Sequence, residues 1–209
     1  IPEKNCYTDL LASMDGSEAV ITQLQKMKMM AARAKLDGAI EWLTNFVETG
    51  KKIIVFAVHH EVIDTIVQKM SSVTKVVKLD GRDSPQSRDN AVVEFQTNPD
   101  CQIFVGNIKA AGVGITLTSS SSVVFFELDW VPGVHIQAED RAYRIGQKNN
   151  VSVWYLLAAG TIEEDIFDLL YEKKKVVDAI LDGASMVGDS IMWTLAKKYI
   201  KQGVMSDEH

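Results

Sequence analysis

Cysteine is nearly absent: Cys6 and Cys101 stand far apart in 209 residues and outside any paired motif. That usage offers neither a disulfide framework nor a zinc site, and it suits an intracellular chain. Long apolar runs are missing too. No eighteen consecutive residues are apolar, and the N-terminus lacks a basic, apolar, small-residue signal pattern, so neither a membrane span nor an export signal is expected. Basic charge is not in excess: 22 Lys and Arg face 28 Asp and Glu, for a net charge of −6. This excludes a protein whose whole surface attracts nucleic acid and confines any phosphate-binding surface to a local strip. The phosphate-binding loop Gly-x-x-x-x-Gly-Lys-Ser/Thr is also lacking, since no glycine precedes Lys-Ser or Lys-Thr. Without that loop, and without an acidic strand end to hold Mg2+, the chain cannot complete an ATP-hydrolysing site alone. No metal site is expected. The adjacent His59 and His60 point about 100° apart on a helix or to opposite faces of a strand, so they do not readily share an ion.

What is present is ordinary globular composition, 46% apolar and 24% charged, enough for one full domain with appendages. The chain starts at Ile1 without methionine, as a piece cut from a longer protein would. Five apolar, β-branched runs predict buried strands: KIIVFAV (52–58), TKVVKL (74–79), QIFVGN (102–107), SVVFFEL (122–128) and VSVWYLLA (151–158). Segments of helical spacing at 60–70, 84–96 and 134–145 separate several of them. Such alternation predicts an α/β fold, a parallel sheet covered by helices on both faces, with ligands at the carboxyl ends of the strands. That directs attention to HHE (59–61), DGRDS (80–84), NIKAAGVG (107–114) and DWVPG (129–133). Residues 18–49 predict two helical pieces meeting near Ala34–Lys35. Thr161 and Glu164 form a capping box opening a long helix that ends before Gly183, and MWTLAKKYI (192–200) predicts a short amphipathic helix. The expected organisation is a helical extension (1–34), an α/β lobe (35–160), a brace helix (161–183) and a tail (184–209).

The stretch QAEDRAYRIGQ (137–147) raises the sharpest question. As a helix it places Gln137, Arg141 and Arg144 on one face, with Ala138, Ala142 and Ile145 packing down on another and Gly146 at the C-terminus. Spacing alone is equally served by a solvated Asp140–Arg144 pair. Gly112 and Gly114, directly after a strand, can bring backbone N–H groups up to a phosphate, or simply make a tight turn. His135 and Glu139 read as a surface pair, and Trp42, Trp130 and Trp154 as packing residues. From these residues, a docking module for a partner protein and a nucleotide or nucleotide-sugar enzyme both remain open.

Taken in order, FAVHH, LDG with Arg88 following, KAAGVGITLT, DWVPG and QAEDRAYRIGQ resemble the second RecA-like lobe of the Swi/Snf-related helicase-like ATPases, most closely the HARP-like annealing-helicase branch. The resemblance covers about residues 35–182. It implies ATP with Mg2+, held mainly by an absent first lobe, and a double-stranded or branched DNA partner. By this resemblance Arg141 and Arg144 are arginine fingers, Gln137, Gly112 and Gly114 border the nucleotide, and His59, His60, Asp80, Gly81, Arg88, Lys109 and Thr116 line a DNA track. The chain departs from the family pattern at Tyr143, where histidine is usual, at Ala111 in a Gly-Gly pair, and at Thr116 and Val131, where asparagine is frequent.

Overall fold

β-Branched and aromatic runs become a sheet because their side chains fill both faces of a pleated surface, and in the computed structural model five of them do so. The structure describes residues 16–111, 114–181 and 191–201. They divide into two compact units, one of residues 32–158 and one formed by the described parts of 1–31 and 159–209.

The first unit holds the sheet. Strands β1 (Ile53–Ala57), β2 (Lys75–Leu79), β3 (Cys101–Asn107), β4 (Ser122–Phe125) and β5 (Ser152–Tyr155) lie in the order β2-β3-β1-β4-β5. Every pairing is parallel, and Val55 of β1 aligns with Val105 and Val124 on its two sides. All residues of β1 are buried, whereas the edge strands β2 and β5 are mostly half-exposed. β1 runs out to β2 and returns through β3 before the chain crosses to β4, so the loops after β1, β3 and β4 flank the point where strand order reverses.

The crossovers are short amphipathic helices. In α1 (Gly16–Ala34) and α2 (Leu36–Val47) the break falls at Lys35, whose ammonium donates to Leu156 O at 2.6 Å. α2 buries Ala39, Leu43 and Val47, and its Trp42 and Phe46 rings pack on Trp154 of β5 at 5.9 and 5.6 Å. α3 (His60–Met70) buries Val62, Ile63, Ile66 and Met70 against the sheet. α4 (Pro85–Thr97) begins at Ser84, whose hydroxyl accepts from Ser87 N, with Pro85 preset for the first turn. At its far end Lys52 donates to the carbonyls of Phe95 and Asn98, and burial lowers the lysine's pKa. α5 (Ile108–Ala111) is a single turn after β3, and α6 (Pro132–Glu139) follows β4. β4 stops at Phe125, earlier than its apolar run predicts, although Phe126 N still makes the ladder bond to Phe56 O.

In the second unit α7 (Ile162–Leu181) opens with Thr161 Oγ1 accepting from Glu163 N, while Glu164 reaches back to Gly160 N. The reciprocal cap foreseen from Thr161 and Glu164 forms, shifted by one residue. Ile166 and Leu170 are buried and Leu169 is half-buried, whereas the side chains of Val176, Val177 and Ile180 lie outside the described residues. α8 (Ile191–Lys201) packs on α7, with Tyr199 and Lys198 bonded to Asp165. Cys6, Gly183 and the remainder of the tail also lie outside the described residues, and Cys101 is a buried free thiol. No helix among the described residues is long and apolar enough to cross a membrane.

Candidate functional site

The site surface starts where β1, β3 and β4 end. After β1, His59 precedes α3, and the fully buried Glu127 carboxylate accepts from Val58 N and His59 N at 2.8 and 2.9 Å and from His59 Nδ1. Burial opposes ionisation of Glu127, but the His59 ring and the two backbone donors outweigh it and hold its pKa below the usual carboxyl range. After β3, Asn107 ties the two neighbouring loops together. Its Nδ2 donates to Val58 O and its Oδ1 accepts from Lys109 N and Ala110 N. Lys109, exposed, sets Nζ 3.1 Å from the buried Asp129. Asp129 in turn accepts from Val131 N and fixes the entry to α6. An acidic strand end, which the sequence did not suggest, is therefore present after β4. Its two carboxylates already hold His59 and Lys109, and among the described residues no three His, Cys, Asp or Glu side chains are placed to bind a metal.

The helix foreseen over 134–145 ends at Glu139. Asp140 to Gly146 form turns, so Gln137, Arg141 and Arg144 do not share one helix face. The reason is competition from the neighbouring loop: Leu117 N takes Arg141 O at 2.9 Å, a carbonyl that continued helix would need for itself. Arg141 is buried, with Nε on Gln137 O and Nη1 3.4 Å from Ile115 O. Burial lowers its pKa, and the like charge of Arg144 adds to the effect. Arg144 is exposed and donates to Thr116 Oγ1 at 3.0 Å, away from Asp140, with which the sequence suggested a pair. Gln137 is exposed, Ala138 and Ala142 are buried, and Ile145, expected to pack down, is fully exposed at 105%. Gly146 has φ +109, a conformation closed to side chains, and ends this segment as a turn residue. Gln147 then locks segment to loop by donating to Thr118 O, Ser120 O and Ala142 O.

His135 is not on the surface as expected. It is buried against the Phe125 ring, which stacks on Tyr155, and its Nε2 accepts from Asp129 N at 3.0 Å. Glu139 accepts from Tyr155 OH at 2.8 Å, and burial and that carboxylate raise the phenol's pKa.

After β2, Asp80 is wholly buried. It accepts from Arg82 N and from the Arg82 guanidinium, lies 3.2 Å from Lys78 Nζ, and is 3.6 Å from His60 Nδ1. These bonds, those of Arg82 above all, hold its pKa far below the usual range. Arg82 also clasps Asp64 at 2.7 and 2.9 Å. Gly81 is exposed, with a negative or extended φ and open space where a Cβ would stand. Arg88 donates to Ala110 O, which brings the β2 and β3 loops together. Gly114 is exposed with φ +77, and Gly112 lies outside the described residues.

The helicase conserved C-terminal domain family matches residues 35–146. The SWI/SNF-related matrix-associated actin-dependent regulator of chromatin subfamily A-like protein 1 of Xenopus laevis is 38% identical over 148 residues, 70% of this chain. The chain belongs to the Swi/Snf-related helicase family, as its C-terminal lobe. The human DNA annealing helicase and endonuclease ZRANB3 is 34% identical over 168 residues, 79% of the chain. The lobe spans 15% of the frog protein and 16% of the human one. Among solved structures, the Sulfolobus solfataricus SWI2/SNF2 ATPase core in complex with dsDNA matches 99% of this chain and 46% of its own, with a TM-score of 0.69 and 28% identity. The parallel sheet is thus that of a RecA-like Swi/Snf lobe. Sequence reasoning gave no role to Glu127, Asp129, Arg82 or Asn107, although the last three stand in the strand-end stretches to which it pointed and Glu127 stands near the end of an apolar run.

Proposed function

We propose that this Swi/Snf lobe is the second lobe of a DNA-dependent ATPase that translocates on double-stranded DNA. It would complete, with Arg144 and Arg141, a nucleotide site whose phosphate-binding loop and Mg2+ ligands belong to an N-terminal lobe. The observation that carries the reading is the state of Arg144: an exposed guanidinium whose neighbour is a neutral hydroxyl, in a segment bolted to the adjacent loop by Gln147 and Leu117. Such a fork is held in place yet keeps its charge for phosphoryl oxygens, and ATP when bound supplies those oxygens and the cleavable anhydride. The donors here suit phosphate and not Mg2+, whose oxygen ligands this surface does not gather. Arg141, buried on two carbonyls, orients the segment and adds positive potential behind Arg144. Gln137, exposed at the end of α6, would border the nucleotide, as Gly112 and Gly114 would by the same resemblance.

The DNA track of this reading runs over His59, His60, Gly81, Arg88, Lys109 and Thr116, with Asp80 shaping its loop through Arg82. Backbone phosphates would be held without sequence preference, and a strip of cations suffices on a lobe of net charge −6. Closure of the two lobes on ATP and reopening after hydrolysis would step the pair along the duplex. Annealing or remodelling, as the names of the relatives describe for those proteins, would be tasks of the intact protein, acting at DNA inside the cell.

The test is DNA-stimulated ATP hydrolysis by the intact protein carrying Arg144→Lys. Lysine keeps the charge and loses the fork, so turnover should fall about 10³-fold or more while duplex binding and the unfolding midpoint hold. Unchanged turnover would instead favour a second reading, a protein-docking face, to which the exposure of Tyr143 (72%) and Ile145 on either side of Arg144 lends support.

A further inference from the structure

Glu127 takes no part in the reading above, yet it is a fully buried carboxylate at the centre of the site surface. Its Oε2 accepts from Val58 N and His59 N, and its Oε1 takes the His59 ring at Nδ1. Those partners overcome burial and keep the acid ionised. An ionised carboxylate only accepts, so Nδ1 of His59 must carry a hydrogen whatever the charge on the ring. Nε2 makes no bond among the described residues, while 25% of the side chain stays exposed. The loop around it is fixed from three sides. Asn107 of β3 holds Val58 O, Glu127 beyond β4 holds the backbone N–H pair, and Glu61 of α3, the other carboxylate within electrostatic reach, is clasped by Arg33 at 2.7 Å.

We propose that Glu127 is a positioning residue that fixes the ring orientation of His59 and keeps a hydrogen on Nδ1, so that Nε2 is the nitrogen turned toward DNA and, in the protonated ring, donates to a phosphodiester oxygen. The inference rests on the reading of the loop after β1 as part of a DNA track. The role differs from simple capping of α3. A capping group needs only an oxygen for the two backbone N–H groups, whereas tautomer control needs a second acceptor facing Nδ1.

Glu127→Gln separates the two. The amide oxygen can still cap, but its NH2 then faces Nδ1 and forces that nitrogen to accept. Duplex affinity and its salt dependence are measured on the intact protein at mildly acidic pH for wild type, Glu127→Gln, His59→Gln and the double variant, with unfolding midpoints and 15N spectra of labelled histidine. Each single change should weaken binding several-fold, about fivefold, and lower the salt slope by about 1. The double variant should be no weaker than His59→Gln alone, because Glu127 acts only through the ring. In spectra recorded at a pH where the ring is neutral, the His59 proton should be on Nδ1 in wild type and on Nε2 in Glu127→Gln. Wild-type affinity in either single variant, additive losses, or an unaltered tautomer would overturn the proposal. If Glu127→Gln does not fold, His59→Gln alone decides: undiminished affinity there removes the contact. Failure of the wild-type protein to bind duplex would overturn the DNA-track reading itself, with the tautomer still readable.

Discussion

Arg82 and Arg144 both belong to the unit that holds the sheet and are both exposed, yet their surroundings are opposite. Arg82 lies between Asp64 and Asp80, its guanidinium nitrogens 2.7 and 2.9 Å from the first and 3.1 Å from the second. Arg144 reaches one hydroxyl, Thr116 Oγ1, and forms no ion pair among the described residues. A cation already closed by two carboxylates organises its loop and has little left for an incoming anion. A cation held by a neutral acceptor keeps both its geometry and its field. Proximity to a site therefore says less about an arginine's role than the charge of what holds it.

That contrast can be broken in several ways. The largest effect is expected from the conservative exchange at each arginine: Arg144→Lys should abolish most DNA-stimulated turnover at unchanged stability, whereas Arg82→Lys should leave turnover near wild type and lower the unfolding midpoint. Equal loss of turnover in both would erase the distinction. Next, Asp80→Asn should cost about 2 kcal/mol of stability in denaturant titrations, since charged hydrogen bonds to a buried carboxylate are lost. The acid dependence follows from the same group. Its pKa is depressed in the folded state, so its contribution is complete above the ordinary carboxyl range near about 4 and is lost as pH falls below it; the Asn variant should show a flatter acid limb. A smaller change, about tenfold in turnover, is expected from Thr116→Asp, which would give Arg144 the carboxylate that Arg82 has. An ATPase rate indifferent to that added charge would mean that Arg144 is not at the phosphates. Smallest is Gly81→Ala: with open space for a Cβ and no left-handed backbone, stability should change by less than about 0.5 kcal/mol, and a loss of duplex affinity would place this surface on the track.

Much of the framework was legible beforehand. The strand runs were found to within a few residues because β1, β3 and β4 are buried on both faces and so read as continuous apolar segments. The helices foreseen over 60–70 and 84–96 were visible in their apolar spacing and form at 60–70 and 85–97. The arginine segment misled because its local pattern is helical, and what ended the helix was a hydrogen bond from Leu117, distant in sequence. His135 misled for a related reason. An i,i+4 spacing with Glu139 looks like a surface pair until the Phe125 ring, stacked on Tyr155 of the neighbouring strand, packs against it.

By itself the sequence determined the α/β class, the strand and helix order, and the motifs that mark a Swi/Snf lobe, because periodicity and motif chemistry are local properties written along the chain. Tertiary structure alone decided which of two arginines is buried and which is presented, that Arg82 closes on Asp64, and that Glu127 lies behind His59. Burial and charge pairing depend on partners brought in from 18 to 69 residues away, and no local pattern carries that distance.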